Sequence, residues 1–277
     1  MSHFVSKRDV VTVTGSEAQS YLQGQISQDV DALGIGDSAW SLILQPQGKV
    51  DAWFRITKSG DETFLLDVDE GHGETLLARL KRFKLRTKAD LELATWDWCA
   101  IREHDEPENA PDTPIAATPA GGQVGLDLLA PELPEPLSAS MTEDEFERLR
   151  ILAGVPAMGS ELDEGTIPAE ARVVDDSVSF TKGCYTGQEL VARVDSRGDN
   201  TPRKLRIISG SASAASVGAE LSLDGSVAGV ITSVASDGDG WVALAYIKRS
   251  ALEASSLFID GQSVDVRPVP ADVEVSS

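Results

Sequence analysis

Apolar positions in the first hundred residues alternate between a period of two and a period near 3.6, the mark of a mixed helix and strand fold. Residues 10–13, 39–44, 50–56 and 63–68 are dense apolar runs suited to strands. Ser16 with Gln19 has capping-box spacing, and Ala18, Tyr21, Leu22 and Ile26 follow at helical intervals. Leu76, Leu77, Leu80 and Phe83 give residues 74–85 one apolar face, as in an amphipathic helix. Leu91, Leu93 and Thr95 alternate with polar neighbours like a half-buried strand. Thr142 with Glu145 forms a second capping box, opening a helix with Phe146, Leu149 and Leu152 on one face, and Gly154 and Pro156 end it. Beyond residue 202 the pattern becomes short strands. Asp224-Gly225 and Asp260-Gly261 each sit between alternating runs as hairpin turns, residues 237–240 mark another turn, and only 250–254 suggests a helix. The pattern predicts an α+β fold, with mixed structure over residues 1–200 and a small all-β module, barrel or sandwich, over 201–277.

Charge changes this picture in one place. The 277 residues include 45 acidic and 24 basic side chains, a net charge of −21. Twelve of the acids fall within residues 103–147, where seven prolines occur and no Lys or Arg. Such composition resists packing, so a surface excursion is expected over about residues 103–140. The net charge argues against general nucleic-acid binding, direct tRNA binding included, and against anionic membranes. No apolar run is long enough to span a bilayer, and residues 1–8 lack the apolar stretch of a secretory signal. A cytoplasmic protein is expected. Cys99 and Cys184 are too few for a disulfide framework, and His3, His72 and His104 lack metal-ligand spacing, so no metal site is expected. The bases form two clusters, one at Arg79, Lys81, Arg82, Lys84, Arg86 and Lys88, the other at Lys182, Arg193, Arg197, Arg203, Lys204 and Arg206. They either line one anion-attracting cleft or remain scattered solvated charges. The five tryptophans, Trp40, Trp53, Trp96, Trp98 and Trp241, sit in strand-like contexts and read mostly as core.

Residues 180–193 hold the densest candidate chemistry. Leu190, Val191 and Val194 give a helix that begins near Gly187, and Gly183 and Gly187 flank Cys184. A cysteine ahead of a helix N-terminus, two residues from Lys182, is either a thiol favoured as thiolate or a small hydrophobe in a tight turn. Gln188 and Glu189 lie in the first helical turn. They either complement the dipole or hydrogen-bond a planar heterocycle such as a pterin, and Arg193 stands four residues beyond Glu189, the spacing of a surface ion pair.

The run Lys182-Gly183-Cys184-Tyr185-Thr186-Gly187-Gln188-Glu189 resembles the signature of the YgfZ family, folate-binding relatives of the glycine-cleavage T-protein. Tyr21-Leu22-Gln23-Gly24-Gln25-Ile26-Ser27-Gln28-Asp29-Val30, Gln45-Pro46-Gln47-Gly48-Lys49-Val50-Asp51 and Leu80-Lys81-Arg82-Phe83-Lys84-Leu85-Arg86 resemble further family elements, in the family's order. So do Arg150-Ile151-Leu152-Ala153-Gly154-Val155-Pro156 and Ile167-Pro168-Ala169-Glu170. The resemblance implies T-protein-like folate-binding lobes around a central cleft, with a C-terminal β-barrel. It implies tetrahydrofolate or a one-carbon derivative as ligand, and a role in assembling or repairing iron–sulfur clusters that indirectly supports tRNA-modifying enzymes. Partners would be iron–sulfur enzymes or assembly proteins. Cys184 would be the functional thiol; Phe146 would contact the pterin, and Lys182, Gln188, Glu189 and Arg193 would serve the cofactor. One cysteine cannot hold a stable cluster, so contact with iron would be transient or shared. The alternative is a folate-dependent aminomethyl or one-carbon transferase. It needs a catalytic carboxylate, for which Asp69 and Glu74 are the candidates, although residues 67–74 depart from the T-protein pattern.

Overall fold

The computed structural model describes residues 2–102, 115–117, 119–120, 123, 125–133, 140–198, 200–211 and 215–270. Its first half runs β1 (Ser2–Thr14), α1 (Ala18–Gln25), β2 (Ser38–Leu44), β3 (Val50–Gly60), β4 (Thr63–Asp69), α2 (Gly73–Phe83), β5 (Asp90–Arg102), β6 (Ile115–Ala117) and β7 (Gly125–Ala130). These seven strands form one sheet in the order β2-β3-β4-β1-β5-β7-β6, with neighbouring strands antiparallel.

Strand alternation gives the sheet two distinct faces. Val11, Val13, Phe54, Ile56, Leu66 and Val68 share a fully buried core with Leu22 of α1 and Leu76 and Leu80 of α2. The residues one position out of phase, Val10, Leu65, Trp98, Ala100 and Leu129, face the other way and pack with Phe4 and Phe146. Register places charges on that second face as well: Arg55 pairs with Asp67, Arg8 with Asp69, and Asp127 with Ala100.

The chain continues through α3 (Glu143–Leu152), α4 (Val174–Ser177) and α5 (Gln188–Asp195). Strands β8 (Arg203–Gly210), β9 (Glu220–Leu223), β10 (Ser226–Asp237), β11 (Gly240–Lys248), β12 (Ser256–Ile259) and β13 (Gln262–Pro268) close into a barrel in the order β10-β11-β8-β13-β12-β9. Both Asp-Gly pairs make the expected turns: Asp224 and Gly225 have φ of 49° and 76°, Asp260 and Gly261 48° and 81°. Leu205, Ile207, Val242, Leu244 and Tyr246 of the barrel share a core with Leu42, Leu44 and Trp53 of the sheet, so the two β structures are joined by apolar packing. No helix among the described residues is long and apolar enough to cross a membrane.

Three local expectations change. Ser16 does not cap α1; Glu17 holds that position without a side-chain cap, because Gln19 is drawn to Asp31 and Lys58 instead. The Thr142–Glu145 box does form, with the Glu145 amide donating to Thr142 Oγ1 at 3.3 Å and the Thr142 amide to Glu145 Oε2 at 2.7 Å. Residues 249–251 make a 3-10 turn instead of a helix. The acidic, Pro-rich stretch is also more than an excursion: residues 103–114 lie outside the described residues, but β6 and β7 join the sheet and bury Asp127, Leu128 and Leu129.

Candidate functional site: an aromatic and ionic cavity beside an exposed cysteine loop

A cavity of about 240 Å³ opens on the second face of the sheet, between β1, β5, β7, helix α3 and residues 155–157. Helix periodicity explains the contribution of α3. Glu143, Phe146, Glu147 and Arg150 lie three or four residues apart, share one face and all line the cavity. Phe146 stacks on Phe4 at 4.4 Å with an interplanar angle of 8°, and Trp98 meets Phe146 edge-on at 5.5 Å. Trp40 stacks on Trp53 at 4.2 Å. The indole N–H groups of Trp40 and Trp98 are buried and have no hydrogen-bond partner. A buried donor left unpaired costs about 1–3 kcal/mol, and both residues belong to the cavity lining.

Beneath these rings runs a chain of alternating charges. Arg8 donates to Asp69 at 2.6 Å and to Asp67 at 2.7 Å. Arg55 grips both Asp67 oxygens, at 3.0 and 3.1 Å, and reaches Asp127 at 2.8 Å. Arg102 donates to the other Asp127 oxygen at 2.8 Å and to Gln123 at 3.0 Å. Three guanidinium groups thus balance three carboxylates. Burial by itself would lower the pKa of Arg55, but Asp67 and Asp127 outweigh it and hold the pKa above its ordinary value. Burial likewise pushes the Asp127 carboxyl up, yet Arg55 and Arg102 prevail and hold it below the usual range. Arg55 also lies over the Trp40 ring at 5.6 Å, which ties the ionic layer to the aromatic one. At the far wall, Arg150 pairs with Glu147 and with buried Glu161, which accepts from Ser233 of β10 at 2.6 Å, so the α3 wall is braced against the barrel.

The Cys184 loop is a separate construction. Lys182 donates all three ammonium hydrogens to the carbonyls of Gln23, Ile26 and Gln28, at 2.7, 2.9 and 2.8 Å for Gln23, Gln28 and Ile26 respectively. Burial lowers its pKa to about 8, with Asp29 and Asp31 partly opposing. Gly187, at φ 84°, precedes α5 and abuts Gly48, at φ 75°, in the β2–β3 turn; a Cβ on Gly187 would stand 3.2 Å from the Gly48 Cα. Three of the sequence motifs therefore meet at this loop. Cys184 is exposed there, which removes the buried-hydrophobe alternative, whereas Cys99 is buried and its thiol is pushed up to about 11 by burial.

Of the sequence-derived candidates, Phe146 lines the cavity; Cys184, Lys182, Gln188, Glu189 and Arg193 do not. Glu189 and Arg193 are exposed on α5. Asp69 lines the cavity and Glu74 does not. One Asp69 oxygen accepts from Arg8 and the other from the Met158 amide at 2.9 Å. None of the twelve bases in the two clusters lines the cavity, whose cations are Lys7, Arg8, Arg102 and Arg150. Arg79 is committed to Asp51 and the Leu44 carbonyl, and Arg203 to Glu170. Sequence reasoning passed over Arg8, Arg55, Asp67, Arg102 and Asp127. The available signal was a single charge set within each apolar strand run, as in Phe54-Arg55-Ile56 and Leu66-Asp67-Val68.

No family model matches the chain. The tRNA-modifying protein YgfZ of Photobacterium profundum is 28% identical over 298 residues, covering 96% of this chain and 82% of that protein. A mitochondrial iron–sulfur cluster assembly factor homolog of Neurospora crassa is 30% identical over 220 residues, covering 70% of this chain and 50% of that protein, so the match spans about half of that relative. Among solved structures, the glycine cleavage system aminomethyltransferase T of Bartonella henselae superposes with a TM-score of 0.77 over 98% of this chain and 86% of its own. Its 16% identity is evidence of a shared fold. By sequence relatives and fold together, the chain matches the YgfZ and T-protein-like proteins.

Proposed function

We propose that the protein binds tetrahydrofolate, or a one-carbon derivative of it, in the cavity and acts as an accessory factor in iron–sulfur cluster assembly or repair, indirectly supporting tRNA-modifying enzymes. The observation that carries the ligand half is the aromatic lining of the cavity, where Phe146 stacks on Phe4, Trp98 meets Phe146 edge-on and Trp40 stacks on Trp53. A pterin presents a flat ring for such a lining and an amino group for the Glu143 and Glu147 carboxylates on α3. Phe146 supplies an apolar surface for the ring. The cavity volume suits a bicyclic ring, with the ligand's anionic tail toward solvent. When bound, the folate would supply one-carbon chemistry; the residues of this chain orient it and exclude water.

The relatives named for cluster assembly and tRNA modification support the second half. Exposure of Cys184, outside the cavity lining, suits a thiol that meets a protein partner. Lys182, with no donor left, anchors its loop, and Gln188, Glu189 and Arg193 belong with the thiol surface in this reading.

Titration calorimetry with tetrahydrofolate is expected to show binding, and Phe146→Ala to weaken it about tenfold or more, the loss of one well-placed aromatic contact. Absence of binding in the parent protein would sink the ligand half. Cys184→Ala is expected to keep folate affinity while failing to restore iron–sulfur enzyme activities in a deletion strain. Full restoration would remove the thiol from the mechanism.

The transferase reading draws on the shared fold and on Asp69 at the cavity wall. Both Asp69 oxygens are already engaged by donors, which disfavours it as a base. One-carbon product from an aminomethylated donor would revive that reading.

A further inference from the structure

We infer that the basic stretch ending α2, residues 81–88, is a docking surface for an acidic polypeptide segment whose carboxylates are interspersed with apolar side chains. Lys81, Arg82, Phe83, Leu85, Arg86 and Lys88 are all exposed, Leu85 at 83%. The stretch carries five positive charges and no acid, in a chain of net charge −21. Among the described residues, its one ion pair is Lys84 with Asp90 at 3.7 Å, and Asp90 is itself 89% exposed. The charges are therefore largely uncompensated, and Phe83 and Leu85 sit among them. Phe83 is held in place by the guanidinium groups of Arg79 and Arg82, at 4.2 and 5.6 Å from its ring.

Arg86 provides an independent sign. Its φ is 59°, a left-handed conformation that costs most side chains about 1 kcal/mol or more and that glycine adopts freely. The side chain is exposed, so packing does not require arginine there. A strained, exposed cation within a basic patch is explained by what it binds.

Charge range selects the partner. At physiological salt the patch acts over about 8 Å. A nucleic acid carries phosphates well beyond that distance, over surface that is on average strongly acidic. A short acidic segment stays within the patch, and its apolar side chains can cover Leu85 and Phe83. The location also suits a partner of the thiol. Tyr21 of α1 donates to the Leu80 carbonyl in α2 at 2.5 Å, and the carbonyls that receive Lys182 lie within and just beyond α1, so one helix ties the patch to the Cys184 loop. None of this depends on folate binding.

The test is fluorescence anisotropy on the full chain with a fluorescein-labelled synthetic peptide of Glu, Asp, Leu and Phe, beside polyglutamate and an RNA oligonucleotide. The mixed peptide should bind, more weakly as salt rises. R82E with R86E should weaken it about tenfold or more, and L85S about three- to tenfold with the salt slope kept. Arg86→Gly separates binding from folding: it should lower affinity while holding or raising the melting temperature. Peptide binding unchanged in the charge-reversed protein would overturn the proposal. So would RNA binding tighter than the peptide and lost in that same variant. Polyglutamate binding as tightly as the mixed peptide would overturn the apolar part.

Discussion

Replacement of Arg55 by methionine is expected to destabilise the fold by about 3–5 kcal/mol, because it leaves buried carboxylates short of a counter-charge. Arg55 is 1% exposed and connects Asp67 of β4 with Asp127 of β7, strands that are not neighbours in the sheet. Methionine matches its length approximately but returns no hydrogen bond. Asp67 keeps Arg8 and Asp127 keeps Arg102, so the loss should fall short of full exposure of two bare charges. The effect has a pH signature. Asp127 has a depressed pKa in the folded protein, so its contribution is fully present above the unfolded carboxylate range, about 3.9, and is lost as pH falls through the folded value. The parent therefore loses this term below that range while the variant has less of it to lose, and the gap between them should be narrower at about pH 3 than at pH 7. Urea denaturation at the two pH values measures both effects. A loss below about 1 kcal/mol, equal at both pH values, would mean that the ion chain is not a buried network.

That network was the least legible part of the sequence, and the reason is physical. Local signals are set by neighbours in the chain. The Thr142–Glu145 box and both Asp-Gly turns need only a few consecutive residues, and the structure has them as the pattern predicts. Ser16 had the same local signal but lost to contacts of Gln19 with Asp31 and Lys58, which the local pattern does not contain. The partners of Arg55 lie 12 and 72 residues away and depend on strand register. Strand β7 was hidden for a compositional reason: the prolines and acids around it outweighed three leucines, Leu126, Leu128 and Leu129, which pair along β5. The barrel and the overall α+β class were legible because alternation repeats over many residues. For the site, the motif near Cys184 was legible as a motif, but Lys182 looked like a partner for the thiol or a ligand. Its three carbonyl contacts, more than 150 residues away, make it a tether instead.

Gly187→Ala should cost about 2–5 kcal/mol, the sum of a left-handed backbone and a forced contact. At φ 84°, an added Cβ would lie 2.7 Å from the Gln45 carbonyl oxygen and 2.8 Å from the Leu44 Cβ. Neither neighbour yields easily: Gln45 opens the β2–β3 turn, with its amide bonded to the Lys49 carbonyl, and Leu44 is fully buried. Gly48→Ala meets the same junction from the opposite side, with its Cβ 2.5 Å from the Leu190 Cβ and 3.1 Å from the Gly187 carbonyl oxygen. Either substitution must push the start of α5 away from the turn. Once that gap is open, the second methyl group finds room that the first one made. The double variant should therefore lose less than the two single variants together, with an interaction term of about 0.5–3 kcal/mol in a denaturation cycle. The consequence reaches the thiol, since Cys184 lies on the short span between the Lys182 tether and Gly187. Its rate of reaction with a thiol reagent should shift in each single variant, while buried Cys99 stays unreactive until the fold opens. Additivity within about 0.5 kcal/mol, together with an unchanged Cys184 rate, would show that the two motifs fold independently and that the turn does not set the thiol's position.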